Sequence, residues 1–257
     1  MLGIDLGVWG MPGMSGRDRP GSRIPDLRGI GYHRGYRPRE RNDRNRMAGL
    51  GTLFHGFFEI LEVIDAERQA KGGKVKITPD WKDAEGKGLK DIGWALEYEG
   101  NISSEDSIEI EIGEKWLKIS GSLKTTKSIR AEGGIEAGVG IGAGRGIVAG
   151  EGIRAGWGIR AGWGIRAGWG IRAGEGIVAE GGIVAGFGIQ AVGGIEAGWG
   201  IQAGLSIRCK KILKWSYNLF AGTATWKKAD IEDLVIEARE LKGGEVKCGT
   251  IRLLEEK

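Results

Sequence analysis

Fourteen isoleucines, from Ile129 to Ile207, stand at an unbroken spacing of six. Two residues after each comes alanine, from Ala131 to Ala203, until Cys209 takes that place. The unit is Gly-Ile-x-Ala-Gly-x, cleanest from Gly152 to Trp169. A fixed short period is architecture and has to be read before any local element. In extended chain, residues two apart point to one side and the residue between them to the other. Each unit therefore offers Ile and Ala to an interior and one residue to the outside, followed by a Gly-x-Gly corner. Glycine takes sharp corners at little steric cost. Neither an α-helix, with its period of ~3.6, nor a meander can use a strict six.

A coil that turns at every corner stacks isoleucine on isoleucine with rungs ~4.8 Å apart, and its backbone groups pair between rungs. The expected fold is mainly β: a single-stranded parallel β-solenoid over residues 128–211. The expected form is a triangular prism with three hexads per coil, the alternative being a flattened coil with two. An interior of only Ile and Ala is thin, so stability has to come from long cooperative stacking. Collagen is excluded. There are 50 glycines, which in the repeats mostly alternate in spacing between four and two, and only five prolines, whereas a triple helix needs Gly at every third position and abundant Pro.

The Ser-Ile-Arg-Ala and Gly-Ile-Glu-Ala units resemble the repeats of bactofilin-type polymer-forming proteins, β-helices that assemble end to end. They are also similar to the Gly-rich hexads of uncharacterised bacterial and phage proteins. The resemblance covers residues 128–211. It implies a scaffold, with a phage or mobile-element origin.

The flanks differ in composition. Residues 1–46 hold ten Arg, no Lys, five acids and four of the five prolines, a net charge of +5 against −1 for the remainder. They read as a disordered tail, and the basic balance belongs to that tail. Residues 47–73 read as an amphipathic helix, with Leu50, Phe54, Phe57, Phe58 and Leu61 as its candidate interface and Glu59, Glu62, Asp65 and Glu67 opposite. Its acidic polar face argues against a membrane surface. Residues 74–127, with the alternation Ile108–Glu109–Ile110–Glu111–Ile112, read as a β cap opening the solenoid. Residues 212–257 read as a closing β cap; Leu213, Trp215, Leu219 and Phe220 bring bulk that the repeats lack. A complete cap there disfavours end-to-end assembly.

Reactive constellations are missing. His33 and His55 are the only histidines, so the repeats have neither an acyltransferase histidine nor a three-His metal site. Cys209 and Cys248 have no zinc or redox spacing and read as free thiols. No metal or cofactor is expected, and no catalysis. No apolar run approaches the ~18 residues of a span, and there is no secretory signal; the expected location is the cytoplasm.

What remains is the outward face. Arg154, Arg160, Arg166 and Arg172 share one repeat position; Trp157, Trp163, Trp169 and Trp199 share another. These residues are the candidate interaction surface. Two functions follow. One is a scaffold binding itself or another protein. The other is a nucleic-acid module using residues 1–46 together with the Arg/Trp ladder.

Overall fold

The computed structural model describes residues 73–255 except Ala229, within the compact unit Gly56–Lys257. The tail expected over residues 1–46 lies outside the described residues. So does the expected helix, apart from Gly73, together with its interface Leu50, Phe54, Phe57, Phe58 and Leu61.

Inter-strand register gives the number of hexads per coil. Ile129 pairs with Ile147, and Ile147 with Ile165, a step of eighteen residues. Three hexads therefore make one coil, and a parallel β-solenoid with three faces results. Face I carries Ile129–Ala131, Ile147–Ala149, Ile165–Ala167, Ile183–Ala185 and Ile201–Ala203. Face II runs from Ile135–Ala137 to Ile207–Cys209, and face III from Ile141–Ala143 to Ile195–Ala197. Every repeat isoleucine is at most 2 % exposed, so the alternation read from the sequence is the alternation of the core.

The corner glycines serve a purpose other than the expected one. None between residues 128 and 211 has a positive φ, so left-handed backbone is not what the corner requires. Close approach is. A Cβ on Gly156 would stand 2.0 Å from the carbonyl oxygen of Gly138, one coil before it. Where Glu180 fills that slot instead, glycine moves one place on, and a Cβ on Gly181 would meet the Trp163 carbonyl oxygen at 2.6 Å. Corner amides pair from coil to coil, as when Trp157 N–H donates to the Val139 carbonyl at 2.7 Å. The same pairing recurs along the array, for example from Trp169 N–H to the Glu151 carbonyl at 3.0 Å.

The coil continues through both flanks. Before the repeats, Lys74–Ile77 and Ser107–Ile110 lie on face I, Ala95–Tyr98 and Trp116–Ile119 on face II, Ile102–Ser104 and Leu123–Thr125 on face III. A short antiparallel strand, Lys90–Asp91, covers Ala95–Tyr98 at that end. After the repeats, strand Ile212–Phe220 begins on face III, with Leu213 on Ile195, and ends on face I, with Leu219 on Ile201. No Gly-x-Gly interrupts it, so it bends through the corner and joins faces I and III into one fifteen-stranded sheet. Glu240–Cys248 follows the same path one coil later, with register shifts after Trp215 and Leu219. Val235–Ala238 and Thr250–Leu253 close face II. There are about nine coils.

Candidate interaction surface

Residues sharing a repeat position do not share a place. The position recurs every six residues but each face only every eighteen. Arg154 and Arg172 are therefore neighbours on face II, while Arg160 lies on face III beside Gly142 and Val178. Arg166 lies on face I between Val148 and Val184. The tryptophans disperse likewise. Trp157 sits at the corner between faces II and III and is 62 % exposed. Trp163 is at the corner between III and I, its ring 5.7 Å from the Arg145 guanidinium. Trp199 occupies that same corner two coils on, with Gly181 between, as the amide ladder shows. Trp169 is at the corner between I and II.

A different aromatic stripe forms at the corner between faces I and II. Trp169 stacks on Phe187 with centroids 6.2 Å apart and planes 13° off parallel. Phe187 in turn meets Trp226 at 4.9 Å. Towards the N-terminal end Trp94 meets Trp116 at 6.4 Å. The eighteen-residue step from Trp169 to Phe187 was available in the sequence as a signal. Trp94, Trp116 and Trp226 stand outside the repeats and carried none.

Beside this stripe runs a groove of about 340 Å³ floored by face II, with Arg172, Gln190 and Ser206 in its lining. Most cations of face II are already matched. Lys118 pairs with Glu97 at 2.7 Å, Arg208 with Glu232 at 2.7 Å, and Arg252 with Glu232 at 2.8 Å. The hydrogen bond from Lys118 holds the Glu97 carboxyl below its usual range. Arg154 lies over the Trp116 ring, its guanidinium carbon 4.7 Å from the centroid, and 3.6 Å from Glu136. Such a face is a zipper of opposite charges rather than a uniform positive strip. Arg172 is the exception, making no ion pair among the described residues.

The two ends of the solenoid differ. At the N-terminal end a loop folds over face II, with Trp81 edge-on to Tyr98 at 5.4 Å. The Tyr98 hydroxyl donates a 2.6 Å hydrogen bond to Asp83, which pushes the phenol up to about 12. At the other end, among the described residues, Thr250–Leu253 pairs on one side only, with Val235–Ala238, and Glu240–Cys248 only with Ile212–Phe220. This last coil leaves Ile251 49 %, Leu253 60 % and the neighbouring Ile231 76 % exposed.

Neither thiol is primed for nucleophilic work. Burial pushes Cys209 up to about 11 and raises Cys248 as well, whereas a reactive cysteine needs a lowered value. No cluster of three metal-ligating side chains occurs among the described residues. No helix among them is long and apolar enough to cross a membrane. The chain matches no protein-family model, no curated protein and no solved structure.

Proposed function

We propose that the chain is a non-catalytic cytoplasmic scaffold that associates with further copies of itself through its open C-terminal coil. The observation that supports this most is the unpaired last rung, with Ile231, Ile251 and Leu253 facing solvent. An unpaired strand edge flanked by apolar side chains is a template for another chain. Pairing there satisfies backbone donors and acceptors and removes apolar area from water at ~25 cal/mol per Å². The likeness of the repeats to bactofilin-type proteins and to phage hexads points the same way. Sedimentation velocity of the full chain over a range of concentrations tests it. The native chain is expected to populate dimers or larger species, and Ile251→Lys with Leu253→Lys to shift it to monomer with its circular dichroism unchanged. A native chain that stays monomeric at the highest concentration overturns the proposal.

A second reading rests on Arg172, unpaired beside the stacked Trp169 and Phe187. A guanidinium next to aromatic rings suits a single nucleic-acid strand, whose bases stack while its phosphates meet the cation, and residues 1–46 would add charge. Retardation of single-stranded DNA or RNA that weakens steeply with salt, and weakens further in Arg172→Ala with Trp169→Ala, is its expected outcome. No retardation at low salt removes it.

A further inference from the structure

We propose that the groove beside face II holds a slot for one purine nucleotide, its ring laid on Gly170 and Gly188 as the Trp116 indole is laid on Gly134 and Gly152. The chain contains an occupied copy of such a slot. The glycine before each face II isoleucine recurs every eighteen residues, as Gly134, Gly152, Gly170 and Gly188, until Ser206 takes the place. Trp116 holds the same place one coil before Gly134, and its ring runs along this column. A Cβ on Gly134 would stand 2.3 Å from both Cδ2 and Cε2 of the indole, and one on Gly152 2.8 Å from its Cη2. Glycine alone leaves room for the ring. Arg154 and Trp94 cover it at 4.7 and 6.4 Å, and Trp116 is 8 % exposed.

Beyond that ring the same column is bare. Gly134 and Gly152 are buried, whereas Gly170 and Gly188 are partly exposed. Among the described residues, only the Gly188 backbone comes within 4 Å of a Cβ built on Gly170. The space above this floor belongs to the groove of about 340 Å³, bordered by the Trp116 indole on the Gly152 side and walled by Trp169 and Phe187.

Three observations select the ligand. The first is shape, since an indole and a purine are both flat, fused two-ring systems. The second is charge. The lining carries three arginines and no acid. Arg154 is matched by Glu136 at 3.6 Å and Arg208 by Glu232 at 2.7 Å, and Arg172 makes no ion pair among the described residues. A phosphate on the ligand supplies the missing anion, and a guanidinium binds phosphate with charge-assisted hydrogen bonds. Glu151, one coil before Trp169 on the corner, lines the pocket shared with Trp94 and not this groove. The third is polarity. The Gln190 amide and Ser206 hydroxyl stand in the lining, and both can donate to and accept from ring nitrogens. A purine presents several of these, an indole a single N–H. The comparable groove on face III, floored by Gly140, Gly158 and Gly176, has Glu175 and Val178 in its lining, an acid and an apolar group that suit a nucleotide less.

The slot goes beyond the strand reading, because a single free nucleotide satisfies it. Equilibrium dialysis of the full chain against adenosine monophosphate, cytidine monophosphate, ribose 5-phosphate and indole-3-acetate tests it. Adenosine monophosphate is expected to bind about tenfold tighter than cytidine monophosphate, whose single ring covers less of the floor. Gly170→Leu fills the floor at a position without positive φ and is expected to abolish binding. Arg172→Ala, an exposed change, is expected to weaken it about tenfold with circular dichroism unchanged, and decides the matter should Gly170→Leu fail to fold. Absence of adenosine monophosphate binding overturns the proposal. Equal binding of ribose 5-phosphate, which would be phosphate capture alone, overturns it as well, as does binding that neither variant alters. Indole-3-acetate bound as tightly would assign the slot to any flat bicycle and overturn the purine. Retardation of a single strand with no mononucleotide bound would leave the strand reading standing and sink this one.

Discussion

The repeat coils and the flanking coils share one axis and one line of core isoleucines, yet they are held in register by different means. Within the repeats every coil is eighteen residues, as in the step from Ile153 to Ile171. In the flanks the step from Leu96 to Leu117 is twenty-one, from Ile207 to Ile236 twenty-nine, and from Ile236 to Ile251 fifteen. The repeats tolerate no insertion because each corner backbone rests on the corner before it, and most corners have room there for glycine alone, Glu132, Glu180 and Val192 being exceptions with glycine one place on. The flanks keep that contact only in part: a Cβ on Gly121 would still meet the Gly100 carbonyl oxygen at 2.5 Å, and one on Gly243 the Trp215 carbonyl oxygen at 2.3 Å. They let loops leave the coil, and they fill the alanine slots with larger side chains: Tyr98, Ile110, Ile119 and Trp215, all buried. Uniform corners thus go with a thin core, and variable corners with a thick one. The glycines differ in the same sense. Gly113, in a flank, has φ +66 with open space around it, whereas Gly156 has ordinary φ and no space.

That contrast can be broken most forcefully in the core. Ile165, fully buried in the middle of the repeats, becomes an unpaired buried carboxylate in Ile165→Asp, at an expected cost of ~3–5 kcal/mol. Ile251→Asp, in the open last coil, is expected to cost less than ~0.5 kcal/mol. Denaturant unfolding of the two variants measures both. Equal losses would mean that the terminal coil is as integral as the array.

The glycines sharpen it. Gly156→Ala drives a Cβ onto a carbonyl oxygen and is expected to destabilise by ~1–3 kcal/mol, and Gly156→Asn by more. Gly113→Ala places an ordinary residue in left-handed backbone for ~1 kcal/mol, and Gly113→Asn, which tolerates that conformation, recovers most of the loss. Thermal melts of the four variants give the order. Rescue by asparagine at Gly156 would contradict the close-approach account.

The smallest effect concerns pH and belongs to the N-terminal flank. The Tyr98 hydroxyl, more than the Lys87 and Glu85 amides, holds the Asp83 carboxyl below its usual 3.8. A depressed carboxyl adds stability above that value, and the contribution is lost as pH falls through the lowered one. Tyr98→Phe removes the first cause. The variant is therefore expected to melt slightly earlier than the native chain at pH 7, and the gap to narrow under strong acid. A gap that widens on acidification would show the hydroxyl acting elsewhere.

Much of this architecture was legible in residues 129–207. A period of six with Ile and Ala two apart leaves few ways to bury one side of a chain, so strand length, inward faces and corner positions follow from local geometry. The number of hexads per coil did not. Ile153 has equivalent partners at Ile165 and Ile171, and near-identical units give no local reason to choose between steps of twelve and eighteen. Pairing between coils settles it. With that number come the neighbours of every outward residue: Arg154 beside Arg172 but not beside Arg160, Trp169 on Phe187 but not near Trp157. The reason for the corner glycines was also hidden, because a residue eighteen positions away, and not the local φ, is what excludes a side chain at Gly156. The passage of Ile212–Phe220 through a corner, and the arrival of Trp94, Trp116 and Trp226 beside Trp169 and Phe187, belong to tertiary structure alone. Strand period is a property of consecutive residues. Stacking is a property of coils, and it exists only once the chain has closed its first turn.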